Sequence, residues 1–195
     1  MKKLLILMTL LIAFTSRAQI IPQNNAYVEI PYHGYIKDTE NFLDNFVGTW
    51  QYQNGNEQFI MTLSKVLHVD FGRYYKDILI GEYKYVNSNG TTIVNTLADI
   101  NNPNIIPLEH NISGANSLVR LENYKCLECN VGEYRIKTFF DDPGRPYQEL
   151  ALIFRSISST QIKVRLVRDG RSFNSDPNAP DDLRIPEGNY LMTKI

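Results

Sequence analysis

Residues 41–63 read NFLDNFVGTWQYQNGNEQFIMTL, and their pattern decides the fold. Trp50, the only tryptophan, opens an alternation. Trp50 and Tyr52 fall on one face, Gln51 and Gln53 on the other, the period-two signature of a half-buried strand. Asn54-Gly55 follows, a hairpin signal because both residues tolerate positive φ. The return strand places Phe59, Met61 and Leu63 on one parity and Thr62 and Ser64 on the other, with Ile60 breaking the polar face. Upstream, Asp38 or Thr39 can cap a short helical turn that carries Phe42 and Phe46 at an i, i+4 spacing.

Asn41-Phe42 followed by Phe46-Val47-Gly48-Thr49-Trp50 resembles the entry motif of lipocalins and the wider calycin barrels. The resemblance implies a barrel whose base is closed by the turn before the first strand, with the tryptophan packed inside. The chain as a whole resembles an exported family of unknown function from Bacteroidota. That likeness rests on a leader ending in Ala18-Gln19 and on the GTW stretch. It implies compartment and fold, and no activity.

The leader spans residues 1–18. Lys2 and Lys3 precede an apolar run from Leu4 to Phe14, and Ser16-Arg17-Ala18 sets small residues at the −3 and −1 positions of a cleavage site. The run is too short to span a bilayer as a stable helix. Cleavage near Ala18-Gln19 predicts export to the periplasm or beyond, with no membrane span in the mature chain. The chain carries 20 basic and 21 acidic residues, and cleavage removes Lys2, Lys3 and Arg17. The more acidic remainder has no electrostatic case for nucleic acid or an anionic membrane.

After the leader, residues 19–25 read as a loose polar arm, and residues 27–36, broken by Pro31 and Gly34, as an edge segment covering a barrel end. Residues 19–47 thus form an arm and base-closing turn ahead of a barrel domain at 48–195. Nine strands are expected: 48–53, 58–69, 74–86, 91–97, 118–124, 134–140, 147–157, 162–166 and 189–195. Residues 98–116 and 170–186 read as long loops. Short turns between most neighbours favour a closed antiparallel up-and-down β-barrel of eight or nine strands, which removes exposed edges. The alternative is a two-sheet β-sandwich.

The inward parity of the third strand holds Tyr75, Leu79, Gly81, Tyr83 and Tyr85, so Tyr75, Tyr83, Tyr85 and Tyr134 are candidate ligand contacts. Asp77 shares that parity and needs a partner. Cys126-x-x-Cys129 lies between two strands of an exported chain. A local disulfide is the expectation there; a redox dithiol, a zinc pair with His110 and a reduced pair stay open. His33, His68 and His110 do not cluster in sequence. No hydrolase or zinc-protease motif occurs. The Asp141-Asp142 pair reads as turn chemistry, and Asp169 to Asp182 lacks the ligand spacing of an EF-hand. No catalytic residue, metal ligand or cofactor is assigned.

At the barrel base, parity and strand direction place Arg168 over Trp50. Arg168 shares its face with Ile162, Val164 and Leu166, and the eighth of nine alternating strands ends where the first begins. The lipocalin resemblance implies the same stacking of an arginine on the motif tryptophan. Two functions follow as expectations. One is a non-catalytic structural or interaction domain with a protein or envelope partner. The other is a barrel that binds a small, partly apolar molecule inside.

Overall fold

A computed structural model describes residues 19–24, 29–118, 126–170 and 178–195. The leader and most of the expected strand 118–124 lie outside them. Among the described residues eleven strands form one sheet. They are β1 (Ile20–Pro22), β2 (Tyr35–Lys37), β3 (Gly48–Asn54), β4 (Glu57–Asp70), β5 (Tyr75–Val86), β6 (Thr92–Asn95), β7 (Ile112–Leu118), β8 (Arg135–Phe140), β9 (Leu150–Ser158), β10 (Gln161–Arg168) and β11 (Gly188–Lys194). Short 3-10 turns cover Phe42–Asn45, Leu97–Asn101 and Pro107–Glu109.

The sheet closes. β11 pairs with β10 on one side and with β3 on the other, through Lys194↔Trp50 and Thr193↔Gln51. A two-sheet sandwich has no such seam; the fold is a closed antiparallel eight-strand barrel with extra strands, consistent with a lipocalin-like barrel. Alternation places Phe59, Met61, Leu63, Tyr83, Ile136, Phe140, Leu152, Phe154, Ile162, Val164, Leu166 and Met192 in one buried core.

The GTW motif has a physical reading at each residue. Gly48 sits at φ +128°, a conformation that L side chains rarely adopt, and the end of the Lys194 side chain lies over it. Thr49 and Thr62 hydroxyls meet across the strands at 3.1 Å. Trp50 is fully buried, and its indole N–H donates to the Phe46 carbonyl at 2.7 Å, satisfying the polar end of a core residue. Asp38 caps the preceding 3-10 turn by accepting from the Phe42 and Leu43 amides at 2.8 and 3.0 Å.

Two expectations are corrected. The region 98–116 is not all loop, because its last residues begin β7. Its sequence, ISGANSL, is poor in β-formers, yet Ser113, Gly114 and Ala115 are small enough to sit buried against neighbours. β6 and β7 lie along the same edge of β5, β6 at residues 84–86 and β7 at 79–81. Together they act as one barrel strand interrupted by an insertion, so β10 is the seventh barrel strand and its end points away from the base. The arm is not loose either. β1 pairs in parallel with β2, and β2 with the start of β5. Gln23 Nε2 donates to the Ala115 carbonyl and the Ser117 hydroxyl to the Gln23 carbonyl. The arm therefore fills the gap where β7 diverges from β5.

Candidate functional site

The four candidate tyrosines divide. Tyr83 and Tyr85 point into the barrel, where they are packed rather than vacant. Phe59 meets the rings of Tyr83, Tyr85, Phe140 and Tyr190 at 5.9, 6.1, 6.3 and 5.2 Å. Tyr83 lies 4.7 Å from Phe140. Tyr83 donates to the Asp141 carbonyl and Tyr85 to Glu57 at 2.7 Å. Burial pushes both phenols well above their ordinary range, helped by the Asp142 and Glu57 carboxylates respectively. Tyr134 packs edge-on against Phe42 at 4.4 Å and shares a hydrogen bond with Ser117, and burial pushes its phenol up to about 12. Tyr75 leaves the inner face: its ring stacks on His68 at 4.1 Å, beside the pairing of β2 with β5.

The base differs from expectation at one residue. Arg168 lies at the far end of β10, where its guanidinium meets Asp181 at 3.0 Å and its amide donates to Glu187. The strand count put it at the wrong end because β6 and β7 share one barrel position. The cation over Trp50 is Lys194, with Nζ 5.2 Å from the ring centroid.

Beside the base, Asp77 finds its partners. Its carboxylate, 1% exposed, accepts from the Tyr35 hydroxyl at 2.5 Å and from the Asp38 and His68 amides at 2.9 Å each. His68 has φ +56° within the bulge where the β4–β5 register shifts. One carboxylate thus holds the bulge, the arm and the capping turn. Lys65 reaches from β4 to Asp38 and Asp44 at 2.9 Å each.

The outer wall of β8–β11 carries the remaining feature. Register aligns Ile153 with Arg165 and Arg165 with Asn189, and aligns Arg155 with Lys163 in the next row. Arg135 begins β8 on the same face. These residues, with Cys126, Leu127 and Glu128, line an open cleft of about 190 Å³ containing four cations and one carboxylate. Cys126 and Cys129 form a disulfide, pinning the turn that delivers Glu128 to Lys163 at 2.6 Å. Glu133 takes the Arg155 guanidinium through Nε at 2.5 Å and Nη2 at 3.1 Å. Arg135 is 5% exposed. Among the described residues its Nε meets no acceptor. Burial pushes its guanidinium below the ordinary range, Glu133 opposes that, and Arg155 and Arg165 add to it.

Other polar clusters escaped the sequence reading. Glu82, on β5, is buried against His110 Nδ1 at 2.9 Å and the Asn111 side-chain amide at 2.6 Å. They lie 28 and 29 residues apart, too far for any local motif. Arg184 clasps Asp142 from the second long loop. The bridge matches the disulfide expected for Cys126-Cys129, and His110 is engaged by Glu82. Among the described residues no three His, Cys, Asp or Glu side chains are placed to share a metal ion. No helix among them is long and apolar enough to cross a membrane.

Closure, a buried entry tryptophan and aromatic rings packed in the core are consistent with a small lipocalin-like β-barrel. The chain belongs to a family of unknown function, DUF6705, whose model matches residues 1–195. No curated protein and no solved structure matches it.

Proposed function

We propose that this protein is an exported, non-catalytic interaction domain of the Bacteroidota type. Its barrel is a rigid scaffold, and its outer wall meets a protein or envelope component. The observation that carries this reading is the interior: Phe59, Tyr83, Phe140 and Phe154 are fully buried in the core, and the first three pack ring against ring. An eight-stranded barrel interior is either just filled by side chains or holds one small ligand, and these packed rings support the first. Tyr83 and Tyr85 also have their hydroxyls engaged, which lowers support for a small apolar ligand lined by Tyr75, Tyr83, Tyr85 and Tyr134. Export accords with the leader, cleaved near Ala18-Gln19, and with a disulfide, which persists in oxidising compartments.

The test compares capture from solubilised envelope by three immobilised forms: the parent, Lys163→Ser/Arg165→Ser on the wall, and Tyr83→Phe inside. A component held by the parent and by Tyr83→Phe, and lost by the wall variant, is the expected result. Equal capture by all three forms, or an apolar molecule retained by the purified protein in native mass spectrometry, would overturn the proposal.

A further inference from the structure

We infer that the cleft between Arg135 and the Cys126–Cys129 turn is a binding site for an organic oxyanion, a carboxylate or a phosphate monoester with a short apolar body. The inference rests on the outer wall being the recognition face, and it names what that face recognises.

Like charges meet on this wall. Arg155 and Lys163 are directly paired across β9 and β10, and like charges so placed repel. Glu128 lies between them, 2.6 Å from Lys163 and 3.7 Å from Arg155. Glu133 spends both oxygens on Arg155. Both carboxylates are therefore committed to Arg155 and Lys163 rather than to Arg135. Arg135 stays buried at 5% exposure, and among the described residues no acceptor meets its Nε. A buried charge is retained at a large desolvation cost unless it is paired. The guanidinium fork matches the two oxygens of a carboxylate or phosphate, and such charge-assisted pairs are among the stronger hydrogen bonds. Arg165 stands on the same face, one strand beyond Ile153.

The apolar part of the ligand follows from the rest of the lining. Ile153 lies between the cation-bearing positions of β8 and β10. Leu127, 97% exposed, stands on the disulfide-pinned turn at the cleft. A bare inorganic ion would leave both surfaces uncovered. A ligand with its charged head at Arg135 and its body on Ile153 and Leu127 would cover them. The disulfide fixes the turn that forms this side of the cleft.

The test titrates the oxidised protein with benzoate, phenyl phosphate, inorganic phosphate and benzyl alcohol, followed by NMR of the Arg135 Nε–H and the Ile153 methyls. Shifts at both groups with benzoate, phenyl phosphate or both, and none with benzyl alcohol, are expected. Benzoate alone assigns a carboxylate source, phenyl phosphate alone a phosphate monoester. Inorganic phosphate binding as tightly as phenyl phosphate would overturn the apolar half of the inference. Arg135→Met, which keeps the volume and removes the fork, should weaken binding by on the order of tenfold to a hundredfold without lowering the melting temperature. Should that variant not fold, Arg165→Gln on the exposed face should weaken binding several-fold, while Arg168→Gln at the other end of the wall leaves it unchanged. Absence of any anion shift at Arg135, or parental affinity in Arg135→Met, would overturn the site. Either result would leave the filled-scaffold reading standing, since that rests on envelope capture and interior packing.

Discussion

Replacing Asp77 by alanine should be among the most damaging single changes in the barrel wall. The side chain is buried, and its two oxygens accept three hydrogen bonds, from Tyr35, Asp38 and His68. Alanine leaves a buried hydroxyl and two amides without acceptors. Hydrogen bonds to a charged group contribute about 1.5–3 kcal/mol each, and neighbours in one network do not add fully. A loss of about 3–5 kcal/mol follows, at the top of the range for single substitutions. In a domain of this size each kcal/mol moves the melting temperature by roughly 2–4 °C, so a fall of roughly 6–20 °C is expected. Asp77→Asn keeps the volume but turns an amide donor toward one of the three donors, and should fall between parent and alanine. Asp70→Ala is the control, since Asp70 accepts a single exposed turn bond from Gly72. Thermal melts by circular dichroism give the magnitude. Hydrogen exchange of residues 35–37 tests the mechanism, because losing the Asp38 and Tyr35 bonds should free β2 from β5. If Asp77→Ala melts within a few degrees of Asp70→Ala, or leaves exchange in β2 unchanged, the account of this network is wrong.

Lys76 is buried with Asn116 Oδ1 at 2.8 Å, and burial pushes its amine down to about 8. A lysine whose folded pKa lies below its unfolded value stabilises the fold above the unfolded value near 10.5; that stability is lost as pH falls toward 8. Lys76→Met should therefore be about 1–3 kcal/mol more stable than the parent at pH 7, the gap narrowing toward pH 10 in urea melts; a less stable variant at pH 7 would contradict it. Phenols of Tyr35, Tyr83, Tyr85 and Tyr190 are raised by burial, so they stabilise below about pH 10 and that stability should be lost on further alkalinisation. Lys194→Ala should change Trp50 fluorescence and cost about 0.5–1 kcal/mol, whereas Arg168→Ala should leave the emission unchanged; the reverse would place Arg168, not Lys194, over the indole. Cys126→Ser/Cys129→Ser should cost about 2 kcal/mol or less, because so short a loop restrains the unfolded chain little; a larger loss in chemical denaturation would give the bridge a wider structural role.

The fold was legible where local rules suffice. Trp50, Tyr52 and Asn54-Gly55 marked the first hairpin because alternation and turn chemistry are both local, and β4 and β8 to β10 followed the same way. What failed was non-local. β7 is built from small residues whose strand state depends on neighbours that bury them. β6 and β7 share a position only because both find the β5 edge, and missing that reversed the direction assigned to Arg168. The arm strands β1 and β2 are three residues each, too short for periodicity to register. At the cleft, the alternation of Glu133, Arg135 and Lys137 placed Arg135 on an outer face. It did not place Lys163 opposite Arg155, which only the register of β9 against β10 decides.

On the proposed reading the barrel interior is filled and recognition falls to the outer wall. Methyl NMR during titration with lauryl alcohol, a neutral apolar probe, distinguishes a filled interior from a hollow one. The account predicts that the inner methyls of Leu63, Ile112, Leu152 and Val164 hold their positions throughout. Saturable shifts at those methyls, with movement of the Phe59 and Tyr83 ring resonances, would mean that the barrel opens to hold a ligand and would contradict it.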